Sequence, residues 1–190
     1  CKKYRKNDGS YDCLVPGSGG KDSFMQAHLL KYKYGMNPLT CTWAPHIYTD
    51  WGWKNHQAWI HAGFDNILFT PNGSLHRALT KKAFLNLCHP FQPFIIGQRI
   101  CGPKYAVLNK IPFVMYGEHA SEYGDRINEA FDPKMKEHYF IGESNLNDEN
   151  IYKIYLDDPS DQRILGSQYP NYSITSIYFH LPLGFFSFDL

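Results

Sequence analysis

Leu14-Val15-Pro16-Gly17-Ser18-Gly19-Gly20-Lys21-Asp22-Ser23 is the stretch that decides the fold. A strand-like apolar run, Tyr11–Val15, enters a loop of small residues, and a helix-like run, Ser23–Tyr34, leaves it. Small side chains let a backbone approach a ligand closely, and the open N–H groups at a helix start point toward that ligand. Successive N–H groups in such a turn can form a concave nest for a phosphate. The stretch therefore predicts an anion-binding turn between a strand and a helix.

The alternation of strands and helices continues downstream. Further strands are predicted over Leu39–Trp43, Asn66–Thr70, Ile111–Tyr116 and Ser173–Leu181, and further helices over Trp53–His61, Leu75–Leu87 and Ile100–Leu108. Such alternation indicates a parallel sheet with helices on both faces. The sequence predicts an α/β fold with a doubly wound, mainly parallel five-stranded sheet. Since ligands bind at the carboxyl ends of such strands, the loops that matter are 16–23, 44–52, 70–74 and 117–125.

Composition narrows the class of protein. The chain has 190 residues, 43% of them hydrophobic, and a formal charge of +1, which gives no reason to expect nucleic acid as a partner. Its five cysteines are scattered without a CxxC pair, which favours reduced thiols in a cytoplasmic protein. No apolar run approaches the ~20 residues of a membrane span. The start lacks the apolar region of a signal peptide, and both ends resemble cuts in a longer chain.

The loop fails two common phosphate-binding patterns. The Walker A pattern G-x-x-x-x-G-K-[ST] would need glycine at Val15 and a hydroxyl residue at Asp22. The dinucleotide pattern G-x-G-x-x-G fits Gly17 and Gly19, but its third position is again Asp22. The chain therefore belongs to neither of these two pattern classes.

Asp22 indicates which kind of ligand the loop binds. A carboxylate at a phosphate-binding helix start repels the ligand unless a divalent cation lies between them, and Mg²⁺ is bound by one or two carboxylates plus substrate phosphates. The hydroxyls of Ser18 and Ser23 and the ammonium of Lys21 supply donors to phosphate oxygens. This combination predicts a triphosphate bound with Mg²⁺.

Ser18-Gly19-Gly20-Lys21-Asp22-Ser23 resembles the SGGxDS pyrophosphate loop of the ATP pyrophosphatases. That superfamily includes GMP synthetase, asparagine synthetase and tRNA-thiolating enzymes, and the resemblance implies an adenine nucleotide alpha hydrolase-like fold. Its members cleave ATP between the α and β phosphates and transfer AMP to a carbonyl-type oxygen. A nitrogen or sulfur nucleophile then displaces the AMP. An ordinary glycine-rich turn is the alternative interpretation.

A narrower resemblance covers about residues 11–125. The N-acetyl sugar amidotransferases of surface-polysaccharide and flagellin-glycan biosynthesis are similar in four runs, Gly52–Gln57, Gly63–Gly73, His89–Gly97 and Tyr116–Gly124. The pair Pro16-Gly17 departs from the small or β-branched residues usual in that family. The resemblance implies conversion of a sugar N-acetyl group to an acetamidino group, with ATP and Mg²⁺ as cofactors.

The resemblance also assigns roles to individual residues. The ATP site would consist of Ser18, Gly19, Gly20, Lys21, Asp22, Ser23, Trp43, Ala44 and Gly97. The catalytic residues would be Lys21, Asp22 and Glu118, and Asp22 would also be the Mg²⁺ ligand. His119 stands beside Glu118 in the loop after a predicted strand, where both residues could instead only order that loop.

The resemblance has consequences for domains and partners. Residues 1–125 would form the nucleotide-binding core, and residues 126–190 would form its C-terminal part or the start of a substrate or ammonia-site extension. The acceptor would be a nucleotide-linked or lipid-linked N-acetyl sugar. The ammonia would come from a separate glutaminase subunit, because the chain shows no glutaminase nucleophile context. The oligomeric state stays open, including a homo-oligomer.

The sequence is compatible with two other functions. A tRNA-thiolation enzyme would use the same loop, and a non-catalytic adenine-nucleotide-binding module would share the fold. Cys88, His89 and Cys101 match no common zinc spacing. Trp59 is expected in the core, whereas Trp51 and Trp53, in the loop after the second strand, are open between packing and stacking on a ligand ring. Cys13 and Cys41 are expected to be buried in strands.

Overall fold

Three parallel strands form the sheet in the computed structural model, which describes residues 1–117. They are β1 (Cys13–Pro16), β2 (Pro38–Trp43) and β3 (Asp65–Phe69). β2 lies in the middle, with Cys13 paired to Pro38 on one side and Leu39 paired to Asp65 on the other. Their runs of apolar and β-branched residues suit strands buried on both faces. The predicted α/β class and the parallel order of the first three strands are confirmed.

A fourth segment continues the sheet on the free side of β1. Val114 forms a parallel bridge with Leu14. The Leu14 N–H donates to the Phe113 carbonyl at 2.8 Å, and the Met115 N–H donates to the Leu14 carbonyl at 2.9 Å. The predicted strand Ile111–Tyr116 is thus present as a single bridge. β2 and this segment therefore lie on opposite sides of β1.

Four helices connect these strands. They are α1 (Lys21–His28), which continues as a π-helical segment over Leu29–Lys33, α2 (Asp50–His61), α3 (Gly73–Leu87) and α4 (Gln92–Leu108). α2 starts earlier than the predicted Trp53, because the Thr49 side chain caps it by accepting the Gly52 N–H at 3.0 Å. α4 starts at Gln92 rather than Ile100, since Pro93 falls in the first turn, where proline is tolerated.

Alternate residues of β1 face two different layers. Cys13 and Val15 belong to one buried cluster together with residues of the helices on that side, Ala27, Leu30 and Trp59. Leu14 belongs to the other cluster, with Leu39, Cys41, Cys101, Ala106 and Ile111. Side chains of successive strand residues point to opposite faces. The sheet therefore has α1 and α2 on one face and the second half of α4 on the other.

The chain divides into two compact units. Within the described part, Cys1–Thr70 and residues 101–117 belong to the first unit, and Pro71–Ile100 belongs to the second. In residues 1–117 no helix combines the length and apolar character needed to cross a bilayer. Glu118, His119, the predicted strand Ser173–Leu181 and the proposed segment 126–190 lie outside the described residues.

Candidate functional site

The loop after β1 is held to β2 at its first residue. The Gly17 N–H donates to the Cys41 carbonyl at 2.9 Å. The buried Thr42 hydroxyl donates to the Gly17 carbonyl at 2.8 Å. Both backbone groups of Gly17 are therefore satisfied within the sheet edge, and the turn begins from a fixed position.

Gly19 places the turn against α2. Its φ is +81°, a left-handed conformation that only glycine adopts readily. A Cβ there would collide with the Asn55 carbonyl and lie 2.9 Å from Cδ1 of Trp59. A Cβ at Gly17 would lie 2.5 Å from the Ser23 hydroxyl. The two glycines are thus required by close packing of the loop on α2 and on the start of α1.

The loop ends at the open start of α1. Gly20 precedes the helix, and no side chain caps it. The N–H groups of a first helical turn have no intrahelical acceptor and carry the positive end of the helix dipole. The Ser23 hydroxyl donates to the Gly20 carbonyl at 3.2 Å, and the Gly20 N–H donates to the Ser18 hydroxyl at 3.3 Å. The serines thus brace the turn and leave the first-turn donors available to an anion.

Two opposite charges stand in that first turn. Lys21 Nζ and the Asp22 carboxylate are 3.6 Å apart, and both side chains are exposed. Such a surface ion pair contributes little to stability, so the fold does not depend on either side chain. Within residues 1–117 no three His, Cys, Asp or Glu side chains converge on a metal position. A single carboxylate at the helix start fits a Mg²⁺ that completes its shell with substrate phosphates and water.

Gly117 brings the end of the fourth segment to the same place. A Cβ on Gly117 would lie 2.9 Å from the Ser23 nitrogen and 3.2 Å from the Asp22 carbonyl carbon. Any side chain there would press on the backbone of Asp22 and Ser23. The sequence predicts 117–125 as a ligand loop, and Gly117, its first residue, contacts the start of α1.

The ends of β2 and β3 form an aromatic pair. Trp43 and Phe69 stack with centroids 4.8 Å apart, and Lys104 Nζ lies 5.5 Å from the Phe69 centroid. The Ala44 N–H donates to the Phe69 carbonyl at 2.9 Å. The Ala44 N–H is thus engaged within the sheet, so the backbone group of Ala44 that could contact an adenine is its carbonyl oxygen. Gly97 lies in α4 within the second unit.

The tryptophans separate into core and surface. Trp59 is fully buried in the cluster with Val15 and Phe64, which confirms its expected core position. Trp51 and Trp53 are exposed, but they lie in the first turn of α2 rather than in a loop, because the Thr49 cap starts the helix at Asp50. Lys54 Nζ lies 4.6 Å over the Trp51 ring.

Trp53 belongs to a second aromatic group, the Tyr48–Trp53–His56 cluster. The Tyr48 and Trp53 centroids are 5.3 Å apart, Trp53 and His56 are 5.6 Å apart, and Tyr48 and His56 are 6.1 Å apart. Burial lowers the pKa of His56 and raises the pKa of Tyr48. Both side chains are therefore uncharged near neutral pH. The cluster adjoins the loop, because Asn55, the residue before His56, contacts Gly19.

The cysteines behave as expected in the strands. Cys13 and Cys41 are buried, and burial together with Asp12 raises the pKa of Cys13. A hydrogen bond with the Cys101 thiol, with burial, raises the pKa of Cys41. Cys88 is exposed, with a φ of +52° at the end of α3. The thiols of Cys13 and Cys41 are therefore protonated at neutral pH and serve as small apolar residues.

Comparison with known proteins leaves the family open. No protein-family model matches the chain, and no curated protein sequence matches it. The fold and the loop define a class, an α/β protein whose first strand ends in an uncapped helix N-terminus beside a carboxylate.

Several supporting residues were missed from sequence. Thr42, Asn55 and Trp59 hold the loop in place, and Gly117 approaches it from the far end of the described chain. Thr42 carried a signal, since a hydroxyl residue near the end of a buried strand needs an acceptor. Asn55 and Gly117 carried none, because their contacts depend on the tertiary packing of α2 and of the fourth segment.

Proposed function

We propose that this protein is an ATP-dependent amidotransferase that adenylates the acetamido oxygen of an N-acetyl sugar and lets ammonia displace AMP. One observation carries the proposal. The turn after β1 ends in the uncapped N-terminus of α1, with Asp22 and Lys21 exposed in its first turn. That arrangement suits an anion accompanied by a cation, and the failure of the Walker A and dinucleotide patterns favours a pyrophosphate loop.

The loop is proposed to hold the β and γ phosphates of ATP. The backbone N–H groups of Gly19 and of the first turn of α1 would donate to phosphate oxygens, and the Gly20 N–H would join them by exchanging its bond to the Ser18 hydroxyl for one to phosphate. Ser23 would brace the turn through its bond to the Gly20 carbonyl. Lys21 is free to turn toward the leaving pyrophosphate, since its side chain is exposed. Donors aimed at developing charge are the main source of such catalysis.

Asp22 is proposed to hold Mg²⁺ directly or through water. The cation, when bound, neutralises phosphate charge beside the carboxylate. This role is supported by the position of Asp22 in the first turn of α1. The helix dipole there favours phosphate anions, which Mg²⁺ would accompany.

The adenine is proposed to lie at the end of β2. The Ala44 carbonyl would accept from the adenine amine, and the half-buried ring of Trp43 offers an apolar face nearby. Gly97 is proposed as a nucleotide contact on the basis of the resemblance alone. Glu118, the residue after Gly117 in the chain, is proposed as a proton-transfer group.

The chemistry proceeds in two displacements. The acetamide oxygen attacks the α phosphorus, the bond to the β-phosphate oxygen breaks, and pyrophosphate leaves. Ammonia then attacks the activated carbon, loses a proton, and the carbon–oxygen bond breaks to release AMP and the acetamidino sugar. Amide oxygen is a poor leaving group, so adenylation is what makes the exchange feasible. The protein contributes positioning and charge neutralisation.

The resemblance to the sugar amidotransferases supports the remaining parts of the proposal. The acceptor would be a nucleotide-linked or lipid-linked N-acetyl sugar, the ammonia would come from a separate glutaminase, and the protein would work in the cytoplasm. The sheet would be completed to five strands in a doubly wound order. Residues 1–125 would form the nucleotide-binding core, with the substrate or ammonia extension beginning in 126–190.

A product assay tests the proposal. The protein is incubated with ATP, Mg²⁺, ammonium and UDP-N-acetylglucosamine, and the nucleotides are separated by anion exchange. The proposal predicts AMP and pyrophosphate in equal amounts, formed only with the acceptor present. Formation of ADP and phosphate, or no turnover with a panel of N-acetyl sugar nucleotides despite ATP binding, would refute it.

A further inference from the structure

The Tyr48–Trp53–His56 cluster contains two polar atoms that the fold leaves unsatisfied. The Tyr48 hydroxyl and His56 Nδ1 are both buried without a hydrogen-bond partner in the described chain. His56 is only 4% exposed. A buried polar atom without a partner costs about 1–3 kcal/mol, so a protein retains one mainly where another group comes to satisfy it.

The cluster also has an accessible aromatic face. Trp53 is 47% exposed, whereas Tyr48 is less exposed and His56 is buried, so Trp53 is the ring that a ligand meets first from solvent. The flat face of an indole suits the apolar face of a sugar ring. Trp51, its neighbour in the same turn, instead has Lys54 Nζ over its ring.

The charge state of the cluster defines the chemistry of its ligand. His56 and Tyr48 are both uncharged near neutral pH, because burial disfavours their charged forms. Uncharged donors and acceptors suit hydroxyl and amide groups better than phosphates or carboxylates. A flat face combined with two neutral polar atoms is typical of a carbohydrate subsite and differs from the charged start of α1.

We propose that Tyr48, Trp53 and His56 form the subsite for the sugar ring of the acceptor. The ring stacks on Trp53, and its hydroxyl or amide groups bond to the Tyr48 hydroxyl and His56 Nδ1 when the Trp53 side chain turns outward. This assignment rests on the proposed function. The subsite adjoins the phosphate loop through Asn55, which precedes His56 and contacts Gly19.

Saturation-transfer NMR with free N-acetylglucosamine tests the subsite without requiring turnover. The full chain is predicted to transfer saturation to the ring protons of the sugar. Trp53→Ala is predicted to abolish the transfer, and the matched variant Trp51→Ala is predicted to retain it. Absence of transfer with the unchanged protein, or equal loss in both variants, would overturn the subsite.

Tyr48→Phe separates binding from packing. It removes only the hydroxyl, so the thermal stability is predicted to stay the same or rise, because an unsatisfied buried group is lost. Sugar affinity is predicted to fall about tenfold, the worth of one hydrogen bond in a desolvated site. A fall in stability with unchanged affinity would contradict the assignment. AMP formation without Trp53-dependent saturation transfer to the sugar refutes the subsite alone, and Trp53-dependent saturation transfer without AMP formation refutes the proposed function alone.

Discussion

Gly117 lies directly against the backbone of Ser23, so that a Cβ on Gly117 would come within 2.9 Å of the Ser23 nitrogen. Gly117 follows the segment paired to one side of β1, and Ser23 stands in the first turn of the helix that leaves β1. The contact therefore joins the segment beside β1 to the start of the helix that follows β1, at the carboxyl end of that strand. In open α/β sheets, ligands bind at the carboxyl ends of the strands.

Gly117→Ala is expected to disturb the phosphate loop. The added methyl displaces either the fourth segment or the first turn of α1, and so shifts the backbone N–H groups proposed to bind phosphate. We expect ATP to bind about tenfold more weakly, the loss of one good hydrogen bond, with little change in secondary structure. Titration calorimetry with ATP and Mg²⁺ measures the effect. Gly73→Ala is the control, since its Cβ would meet only Arg77 at 3.4 Å; equal ATP affinity in both variants would contradict the account.

Gly19→Ala is expected to destabilise the fold itself. Alanine at a φ of +81° carries backbone strain of about 1–3 kcal/mol, and its methyl also collides with Asn55. Gly20→Ala is the matched control, because Gly20 has a φ of −67° and faces only the Ser18 hydroxyl. Urea unfolding is expected to show the loss for Gly19→Ala and a change within about 0.5 kcal/mol for Gly20→Ala. The reverse order of stability would show that the loop does not pack on α2.

Asp22→Asn is expected to reduce AMP formation about 10²–10³-fold, because the Mg²⁺ that neutralises the phosphates loses its carboxylate. The side chain is exposed, so the fold is expected to stay intact. Asp50→Asn is the control, since Asp50 also stands in the first turn of a helix, α2. Both variants lose a similar helix-dipole term, about 0.3–1 kcal/mol. Initial rates across a Mg²⁺ series decide the outcome, and unchanged activity of Asp22→Asn would exclude the magnesium role.

The stability of the protein is expected to depend on His56 in mildly acidic solution. Burial lowers the folded pKa of His56 below its ordinary value of 6.5, so the unfolded chain binds the proton more readily. The free energy of unfolding should therefore fall as the pH drops from 6.5 through the lowered folded pKa. Tyr48 and Trp53 are the rings packed on His56, and burial is the cause of its shift. Thermal unfolding from pH 8 to pH 5 measures this dependence.

His56→Gln is expected to flatten that pH profile. His61→Gln, at the exposed end of the same helix, is expected to preserve the slope contributed by His56. If the slope survives in His56→Gln, another group carries it, and His56 is not held neutral by the fold.

The sequence pattern predicted the sheet well where local signals were strong. Leu39–Trp43 is rich in β-branched and aromatic residues, and it became β2 with its end unchanged at Trp43. The predicted start of α2 at Trp53 was wrong. The Thr49 cap begins the helix at Asp50, although a glycine stands in its first turn. The predicted strand Ile111–Tyr116 is a single bridge at Val114, since pairing depends on a partner strand distant in sequence.

Only the charged part of the candidate site, at the start of α1, could be predicted from the sequence. Ser18, Lys21 and Asp22 could be recognised because they lie together in one loop. The Tyr48–Trp53–His56 cluster could not, because an unsatisfied histidine nitrogen is a property of three-dimensional packing and leaves no trace in residue spacing. Residue spacing can reveal a site formed by consecutive residues of one loop, whereas a site formed between a loop and a helix is recognised only from the structure.

The central claim is that the acetamide oxygen of the acceptor attacks the α phosphorus of ATP. The most direct test uses an N-acetyl sugar nucleotide labelled with heavy oxygen in its acetamide group, together with ATP, Mg²⁺ and ammonium. Mass spectrometry of the nucleotide products then locates the label. The account predicts that one heavy oxygen atom appears in AMP and none in pyrophosphate. Unlabelled AMP, or release of ADP in place of AMP, would contradict it.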